Sequence, residues 1–452
     1  MKKLEKRAIL CLVLAGMLLL GLAFFIFQYI TKGDDWVSFA ANRHLYQNGN
    51  LIRGSIYDVD GDLLLENSEE GTTYSDSAAV RRATIHAVGD VDGNIGNGAV
   101  TSFADKLTGY NLITGTYSLT GRGRNLYLSI DDEVCRVANE ALDGRSGMVG
   151  VYNYETGEVI CMVSSPNYDP LDPPTLDDDD DSGLYLNRFL SGAIVPGSIF
   201  KLVTLAAAID NKDDIYDWTY ECTGELQLGD DVITCPNAHG TVDIARALSV
   251  SCNCAFGELT LEVGSEVMTQ YVEDLGLTAS RSINGINTAK GKFTFPDDDD
   301  ASLAWAGIGQ YEDLINPCTM LTYMGAIASG GRAVVPDLIH SVRTQGGIPL
   351  QIPWKKHTKR LISESTADEL AELMHNNVVT NYGEGNYPGL DLCAKSGTAE
   401  VGGDLEPNAW FAGFLRNEDA PYAFIVLVEN GGSGSRVAGS VANEVLQAVV
   451  NR

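Results

Sequence analysis

Basic residues are scarce in this chain of 452 residues. The sequence has 31 lysines and arginines against 61 aspartates and glutamates, so its formal net charge is −30. Such an acidic surface argues against nucleic acid or anionic lipid as a binding partner. Internal repeats are absent, which excludes a repeat architecture. Hydrophobic residues make up 44% and charged residues 20% of the chain, which is typical of a globular protein rather than a disordered one.

A small-residue cleavage site is also lacking after the first apolar segment. Residues 1–7, "MKKLEKR", are basic, and residues 8–30 carry no charge. As a helix, the apolar segment would rise about 34 Å, enough to cross a bilayer core. The sequence therefore predicts a single-pass signal anchor in the cell membrane, with residues 1–7 cytoplasmic and the body extracytoplasmic. A cleaved signal peptide is the alternative, and it also leaves the body outside the cytoplasm.

Nine cysteines in an extracytoplasmic protein suggest disulfide bonding. Cys222 and Cys235 flank a segment that predicts a short hairpin, and we predict that these two cysteines pair. A zinc site formed by Cys222, Cys235, His239 and Cys252 is an alternative, but the spacing matches no common ligand pattern. The sequence therefore favours the disulfide over a metal ion.

Two folded units are predicted after the anchor. Residues 31–145 mix short strands with glycine-rich joints and predict a small non-catalytic pedestal module. From residue 146, two apolar strands flank the turn "YETGE", which marks the start of a main domain over 146–452. Helical segments fill its middle, and three strands and an amphipathic helix close the chain. The fold class is thus α+β / α/β multidomain, with an antiparallel sheet made from the first hairpin and last strands of the main domain and a helical region between them.

A serine and a lysine lie three residues apart in "PGSIFKL". Ser198 follows a Pro-Gly pair at the start of an apolar helical pattern, where free backbone N–H groups favour developing negative charge. Lys201 lies on the same helix face and can act as its base if the ammonium is destabilised by burial or by another cation. The alternative is a helix-capping serine with a surface lysine.

Two further short motifs carry polar chemistry. Ser251 and Asn253, in "SVSCNCAF", lie between two predicted helices, where a hydroxyl can relay a proton and an amide can bind a substrate amide. Residues 395–398, Lys-Ser-Gly-Thr, lie on a predicted strand, where Gly397 leaves room for a substrate backbone and Lys395 adds a second cation. Taken singly, Ser251 and Asn253 are by default a helix-capping pair, and Lys-Ser-Gly is an ordinary tripeptide.

The three motifs in this order resemble those of penicillin-binding proteins and serine β-lactamases. Each motif also lies on the same type of predicted element as in that family: the first at a helix start, the second in an interhelix loop and the third on a strand. The segments "RGSIYDVDGDLL", "YLNRFLSGAIVPGSIFKLVT", "GIGQ" and "NAWFAGF" also resemble the class B penicillin-binding proteins, closest to the shorter members. Two departures are that Ser396 replaces the commoner threonine and Cys252 fills the middle of the second motif.

This resemblance implies a peptidoglycan D,D-transpeptidase. By this resemblance Ser198 attacks the penultimate D-alanyl carbonyl of a stem peptide, and Lys201 accepts the hydroxyl proton. Ser251 and Lys395 share proton delivery to the leaving D-alanine, and Asn253 holds the substrate amide. β-Lactam antibiotics would acylate the same serine.

The strand motif is implied to bind substrate. Lys395, Ser396 and Thr398 would bind the terminal carboxylate, beside Gly397, and backbone N–H groups of Ser198 and Thr398 would form the oxyanion hole. The resemblance requires no metal ion or organic cofactor, and by analogy it implies a membrane glycan polymerase as partner. A D,D-carboxypeptidase and a membrane-bound β-lactamase or β-lactam sensor are the alternatives that use the same motifs.

Overall fold

The computed structural model describes residues 2–38, 53–68, 71–111, 115–116, 123–177, 180–351, 354–403 and 405–452. The first helix, α1, spans Lys2–Ser38, and its apolar part projects from the rest of the chain with its side chains exposed. The predicted anchor at 8–30 lies inside α1. A helix of this length and composition is suited to anchor the chain in a membrane.

The region from 53 to 145 is a small mixed module. Its elements are β1 (Ile56–Tyr57), β2 (Leu63–Ser68), β3 (Gly71–Tyr74), α2 (Ala78–Val88), α3 (Ala99–Ser102), α4 (Ala104–Thr108), β4 (Tyr110–Asn111), β5 (Gly115–Thr116), β6 (Asn125–Leu128) and α5 (Asp132–Leu142). The hairpin predicted at Asp60-Gly61 is confirmed as the antiparallel pair β1–β2. Asp58 holds its turn, because one oxygen of that carboxylate accepts the backbone N–H groups of residues 60–62 at 2.7–3.0 Å.

The remainder of the chain carries more than twenty elements. They are β7 (Gly147–Asn153), β8 (Val159–Ser165), α6 (Arg188–Ser191), α7 (Lys201–Asn211), β9 (Thr219–Cys222), β10 (Glu225–Leu228), β11 (Asp231–Thr234), β12 (Gly240–Asp243), α8 (Ile244–Ser249), α9 (Asn253–Val263), α10 (Ser265–Leu275), β13 (Ser282–Ile283), β14 (Ile286–Asn287), α11 (Asp300–Gly307), α12 (Pro317–Ala328), β15 (Ile339–Arg343), β16 (Pro349–Gln351), α13 (Glu364–Asn377), β17 (Leu392–Ala399), β18 (Asn408–Leu415), β19 (Tyr422–Val428) and α14 (Gly439–Val450).

The central sheet has the strand order β17-β18-β19-β7-β8, and every neighbouring pair is antiparallel. The predicted assembly of the first hairpin with the last three strands is therefore confirmed. Consecutive residues of β8 and β18 are all buried, so both faces of the sheet are covered by other elements. Helix α12 packs especially closely, since a Cβ at Gly325 would lie 1.5 Å from the hydroxyl of Tyr152 on β7.

A second sheet crosses the predicted domain boundary at residue 146. Its order is β16-β15-β6-β1-β2-β3, and β15 pairs antiparallel with β6. Two strands from the C-terminal part of the chain thus extend the sheet of the pedestal region. The division of the chain into domains at 31–145 and 146–452 stays a prediction. The pairing of β15 with β6 joins the two predicted domains through backbone hydrogen bonds.

The predicted disulfide between Cys222 and Cys235 is wrong, although the predicted hairpin between them forms as β10–β11. All nine cysteines are free thiols. The Cys235 sulfur lies at the start of α9, where it accepts the backbone N–H of Asn253 at 3.2 Å. The Cys222 sulfur instead lies 3.5 Å from Nδ1 of His239, beyond the hairpin. The helix start and the imidazole therefore hold the two sulfurs apart.

Candidate active site

Ser198 lies in a single turn of 3₁₀ helix, Gly197–Ile199, which leads into α7. The turn has to pass very close to β17, because a Cβ at Gly197 would lie 2.6 Å from the carbonyl oxygen of Thr398. Gly197 also has φ +54° and donates its N–H to the carbonyl of Gly309 in the "GIGQ" segment at 2.8 Å. These contacts leave Ser198 half-exposed beside the edge strand of the central sheet.

Lys201 is the first residue of α7 and is completely buried. Its Nζ donates hydrogen bonds to the carbonyl of Ser251 at 2.8 Å, to the Ser251 hydroxyl at 3.3 Å and to Oδ1 of Asn253 at 2.6 Å. Burial lowers the pKa of Lys201 to about 8, while the nearby Cys252, Cys235 and Cys254 oppose the shift. A lysine with this pKa is partly neutral near neutral pH and can therefore serve as a general base.

A second buried lysine lies on the other side of the same hydroxyl. Lys395, on β17, donates to Oγ of Ser251 at 3.0 Å and to the carbonyl of Ser396 at 2.7 Å. Burial, and then the positive charge of Lys201, lower the pKa of Lys395. The Ser251 hydroxyl thus bridges two amines that resist being charged together, which is an arrangement suited to moving a proton between them.

The loop between α8 and α9 holds Ser251 and Asn253 in place. Ser251 has φ +54°, an uncommon conformation for a residue with a side chain. The Asn253 side chain donates from Nδ2 to the carbonyl of Thr234 at 2.9 Å while its Oδ1 accepts from Lys201. The amide orientation is fixed at both ends, and one hydrogen of Nδ2 remains for a substrate carbonyl.

The strand motif is positioned by a tyrosine that the sequence did not single out. The hydroxyl of Tyr382 accepts the backbone N–H of Ser396 at 2.9 Å and lies 3.0 Å from its Oγ. The Tyr382 ring packs edge-on against Phe411 of β18. Gly397 is covered by Trp410 and by the turn of Ser198, whereas Thr398 is exposed. Ser396 and Thr398 alternate with Gly397 along the strand and can face a ligand from the open edge of the sheet.

The structure therefore brings the three sequence motifs into one site. The two lysines, Ser251 and Asn253 are in direct hydrogen-bond contact, and the turn of Ser198 lies against the 395–398 strand. A half-exposed serine three residues before one buried lysine, on a turn packed against the strand that carries a second buried lysine, is an arrangement suited to acyl transfer.

Comparison with known proteins identifies the class. Residues 147–448 match the family model described as the penicillin binding protein transpeptidase domain, and the chain belongs to this family. The resemblance to class B penicillin-binding proteins is confirmed. The chain is 29% identical to the peptidoglycan D,D-transpeptidase PbpA of Mycolicibacterium smegmatis over 73% of this chain and 72% of that protein. It is 27% identical to stage V sporulation protein D of Bacillus subtilis over 72% of this chain and 52% of that protein.

Solved structures agree with this assignment at the level of the fold. The crystal structure of PBPA from Mycobacterium tuberculosis matches with a TM-score of 0.75 and 23% identity, covering 88% of this chain and 99% of that one. The D,D-transpeptidase domain of a peptidoglycan glycosyltransferase from Eggerthella lenta matches with a TM-score of 0.77 and 24% identity, covering 89% and 99%. The predicted fold class is confirmed.

Proposed function

We propose that this protein is a serine D,D-transpeptidase that cross-links peptidoglycan stem peptides through an acyl-enzyme and is inhibited by β-lactams. The observation that carries the proposal is the pair of buried lysines joined through Ser251 Oγ. One of them, Lys201, lies three residues after the half-exposed Ser198. Relatives named peptidoglycan D,D-transpeptidase support the same reaction and the same peptide substrate.

In the proposed reaction, Ser198 Oγ attacks the penultimate D-alanyl carbonyl while Lys201 takes its proton. The new ester bond forms as the bond to the terminal D-alanine breaks, and the leaving nitrogen receives a proton relayed through Ser251. An amino group of a second stem peptide then attacks the ester, restores the serine hydroxyl and forms the cross-link. Each step needs the base to be neutral when a proton is taken and charged when it is given back.

Substrate recognition is assigned to the strand motif. Lys395, with Ser396 and Thr398, binds the terminal carboxylate, and Asn253 binds a substrate amide. Backbone N–H groups of Ser198 and Thr398 stabilise the oxyanion, a contribution of about 3–4 kcal/mol per donor. The absence of a side chain at Gly397 instead lets the turn of Ser198 pack against the strand, because a Cβ there would lie 3.0 Å from Trp410 and 3.1 Å from Ile199. No metal ion is used in these steps.

We also propose a topology and a partner. The net positive segment 1–7 precedes the apolar part of α1, which supports a cytoplasmic N-terminus and an extracytoplasmic body. The pedestal, 31–145, would hold the transpeptidase domain, 146–452, away from the membrane. By analogy with class B penicillin-binding proteins, the proposed partner is a membrane glycan polymerase that supplies uncross-linked strands.

Benzylpenicillin is expected to acylate Ser198 and to remain attached for many minutes. The β-lactam amide meets the same nucleophile and the same Lys395 as the stem peptide. Intact-protein mass spectrometry should show one added drug mass, mapped to the peptide that contains Ser198. Ser198→Ala should abolish the adduct, and Ser191→Ala, on the neighbouring α6, should not. Rapid return to the unmodified mass with drug turnover would make the protein a β-lactamase.

Cross-linking is expected when the full chain is incubated with lipid-linked precursor and a purified glycan polymerase. An activated ester of Ser198 is attacked by an amine, so the muropeptides released by digestion should include dimers that are absent with Ser198→Ala. Chromatography with mass spectrometry measures the dimers. Trimmed monomers alone, with no dimers, would identify a carboxypeptidase and contradict the proposed acceptor while leaving the acyl-enzyme intact.

A further inference from the structure

Four potential metal ligands lie together behind the active-site loop. Cys222 ends β9, Cys235 follows β11, His239 precedes β12, and Cys252 precedes the first residue of α9. One ligand atom from each, three sulfurs and an imidazole nitrogen, lies within 4.8 Å of all the others. These residues come from separate elements over 31 positions, so the tertiary fold and not a short motif assembles them.

The separations fit a shared ion. The Cys222 sulfur lies 3.5 Å from Nδ1 of His239, and the Cys235 sulfur lies 3.6 Å from that of Cys252. Tetrahedral zinc, with bonds of about 2.3 Å to sulfur and 2.0–2.1 Å to nitrogen, places its ligands about 3.8 Å apart for two sulfurs and about 3.5 Å apart for sulfur and nitrogen. A disulfide would need the sulfurs at about 2.05 Å. The cluster is too open for a disulfide and has the spacing of a metal shell.

Backbone N–H groups lie against two of the sulfurs, those of Cys235 and Cys252, where they would stabilise negative charge. The Cys235 sulfur accepts the N–H groups of Asn253 at 3.2 Å and of Cys254 at 3.5 Å, and the Cys252 sulfur accepts the N–H of Ala255 at 3.4 Å. These N–H groups belong to the first turn of α9, an 11-residue helix whose N-terminus favours anions. Such donors are the usual surroundings of thiolates bound to a metal.

We propose that Cys222, Cys235, His239 and Cys252 bind one zinc ion as a structural Cys₃His site. Four protein ligands leave no open position for substrate, as in structural rather than catalytic zinc sites. Three thiolates and an imidazole select zinc over magnesium or calcium, which prefer oxygen ligands. Cys235 and His239 are partly exposed, so an ion can reach the site from solvent.

The ion would position the second catalytic motif. Cys252 lies between Ser251 and Asn253, so a bond to its sulfur fixes the loop on which both depend. Cys235 follows Thr234, whose carbonyl receives the Asn253 amide. A metal bond to both cysteines therefore ties the hairpin to the helix start at the two places where Asn253 is held. The ligands are positioning residues, and they do not contact the substrate.

The full chain, purified in detergent, loaded with zinc sulfate and dialysed against metal-free buffer, is expected to retain one zinc per chain by mass spectrometry of the elements. Loading with Co²⁺ should give the thiolate charge-transfer and intense visible bands of a tetrahedral site. Cys235→Ser and His239→Gln should each lose the retained metal. Cys254→Ala should keep it, because that thiol lies near the shell, 3.4 Å from Cys235, but outside the group of four.

Removal of the metal is expected to slow acylation by benzylpenicillin about tenfold or more, the scale of losses seen when the support of a metal site is removed. The rate should return on addition of zinc to the unchanged protein and not to His239→Gln. Absence of retained zinc in the unchanged protein, or a disulfide among the three cysteines in unreduced peptide maps, would overturn the site. Equal acylation rates with and without bound zinc would overturn the positioning role and leave the site standing.

Discussion

Lys201→Arg is expected to reduce the rate constant for acylation by benzylpenicillin about 10²–10⁴-fold, the usual contribution of a general base. Arginine keeps the positive charge but does not release its proton in a protein, so it cannot take the hydroxyl proton of Ser198. The side chain it replaces is completely buried, with three acceptors around its Nζ. Time-resolved labelling with a fluorescent penicillin measures the loss.

A second variant tests whether the loss in Lys201→Arg comes only from the larger size of arginine. Lys201→Met has a similar length and removes both charge and base, so it should lose as much activity as Lys201→Arg. In the unchanged protein, the acylation rate should rise with pH through about 8, because the neutral amine is the active form. The thermal midpoint should be measured for both variants. Labelling of a folded Lys201→Arg protein within tenfold of the unchanged rate would assign Lys201 a structural role only.

Lys395→Met is expected to lower the rate of acylation by benzylpenicillin roughly 10- to 150-fold, because one charge-assisted hydrogen bond is worth about 1.5–3 kcal/mol. The lost partner is the carboxylate of the drug. Benzylpenicillin methyl ester, which lacks that charge, should react slowly with the unchanged protein and about equally slowly with the variant. The variant should therefore discriminate far less between the acid and the ester.

The control for this experiment is Lys359→Met, which removes an exposed lysine paired with Asp274. It should preserve the preference for the acid. Lys395→Met has a second expected effect, because repulsion between two buried ammonium groups is mutual: the pH at which acylation is half-maximal should rise. A Lys395→Met protein that retains the full preference for the free acid would contradict the assignment of Lys395 to the carboxylate.

The main sheet could be predicted from local patterns. The turn in "YETGE" and the apolar runs on either side specify β7–β8, and the last three strands carry a similar signal. The strand Ile339–Arg343 was not predicted to extend the pedestal sheet, because its partner β6 lies more than two hundred residues earlier. The periodicity of a segment can indicate a strand, but it does not identify a pairing partner at such a distance.

The site could be predicted as far as short motifs reach. Ser198, Lys201, Ser251, Asn253 and Lys395 were named from three motifs, and the structure brings their segments together. Tyr382 was missed because a tyrosine in a helical segment carries no motif; only its contact with Ser396 reveals its role.

For the cysteines, the sequence predicted a contact that the structure does not form. The hairpin between Cys222 and Cys235 was predicted correctly, and closeness along the chain then favoured a disulfide. In the structure Cys235 lies instead against the N-terminus of α9, and β9 pairs with β12 beyond the hairpin. The sequence named Cys222, Cys235, His239 and Cys252 as an alternative zinc site, but their spacing matches no common ligand pattern, because the four residues come from two strand pairs and a helix start.

The central sheet pairs strands from the two ends of its domain, so its assembly has to wait until the last strands have been synthesised. The strand β7 ends at Asn153, and its neighbour β19 begins at Tyr422, which is 422 − 153 = 269 residues later. A ribosome that adds roughly 5–20 residues per second needs about 13–54 s to cover that distance. For that interval the newborn β7–β8 hairpin exposes an unpaired apolar edge, a period of vulnerability to aggregation. Lys395 is synthesised near the end of the same interval. Nearly the whole chain must therefore be made before Ser198 can be acylated.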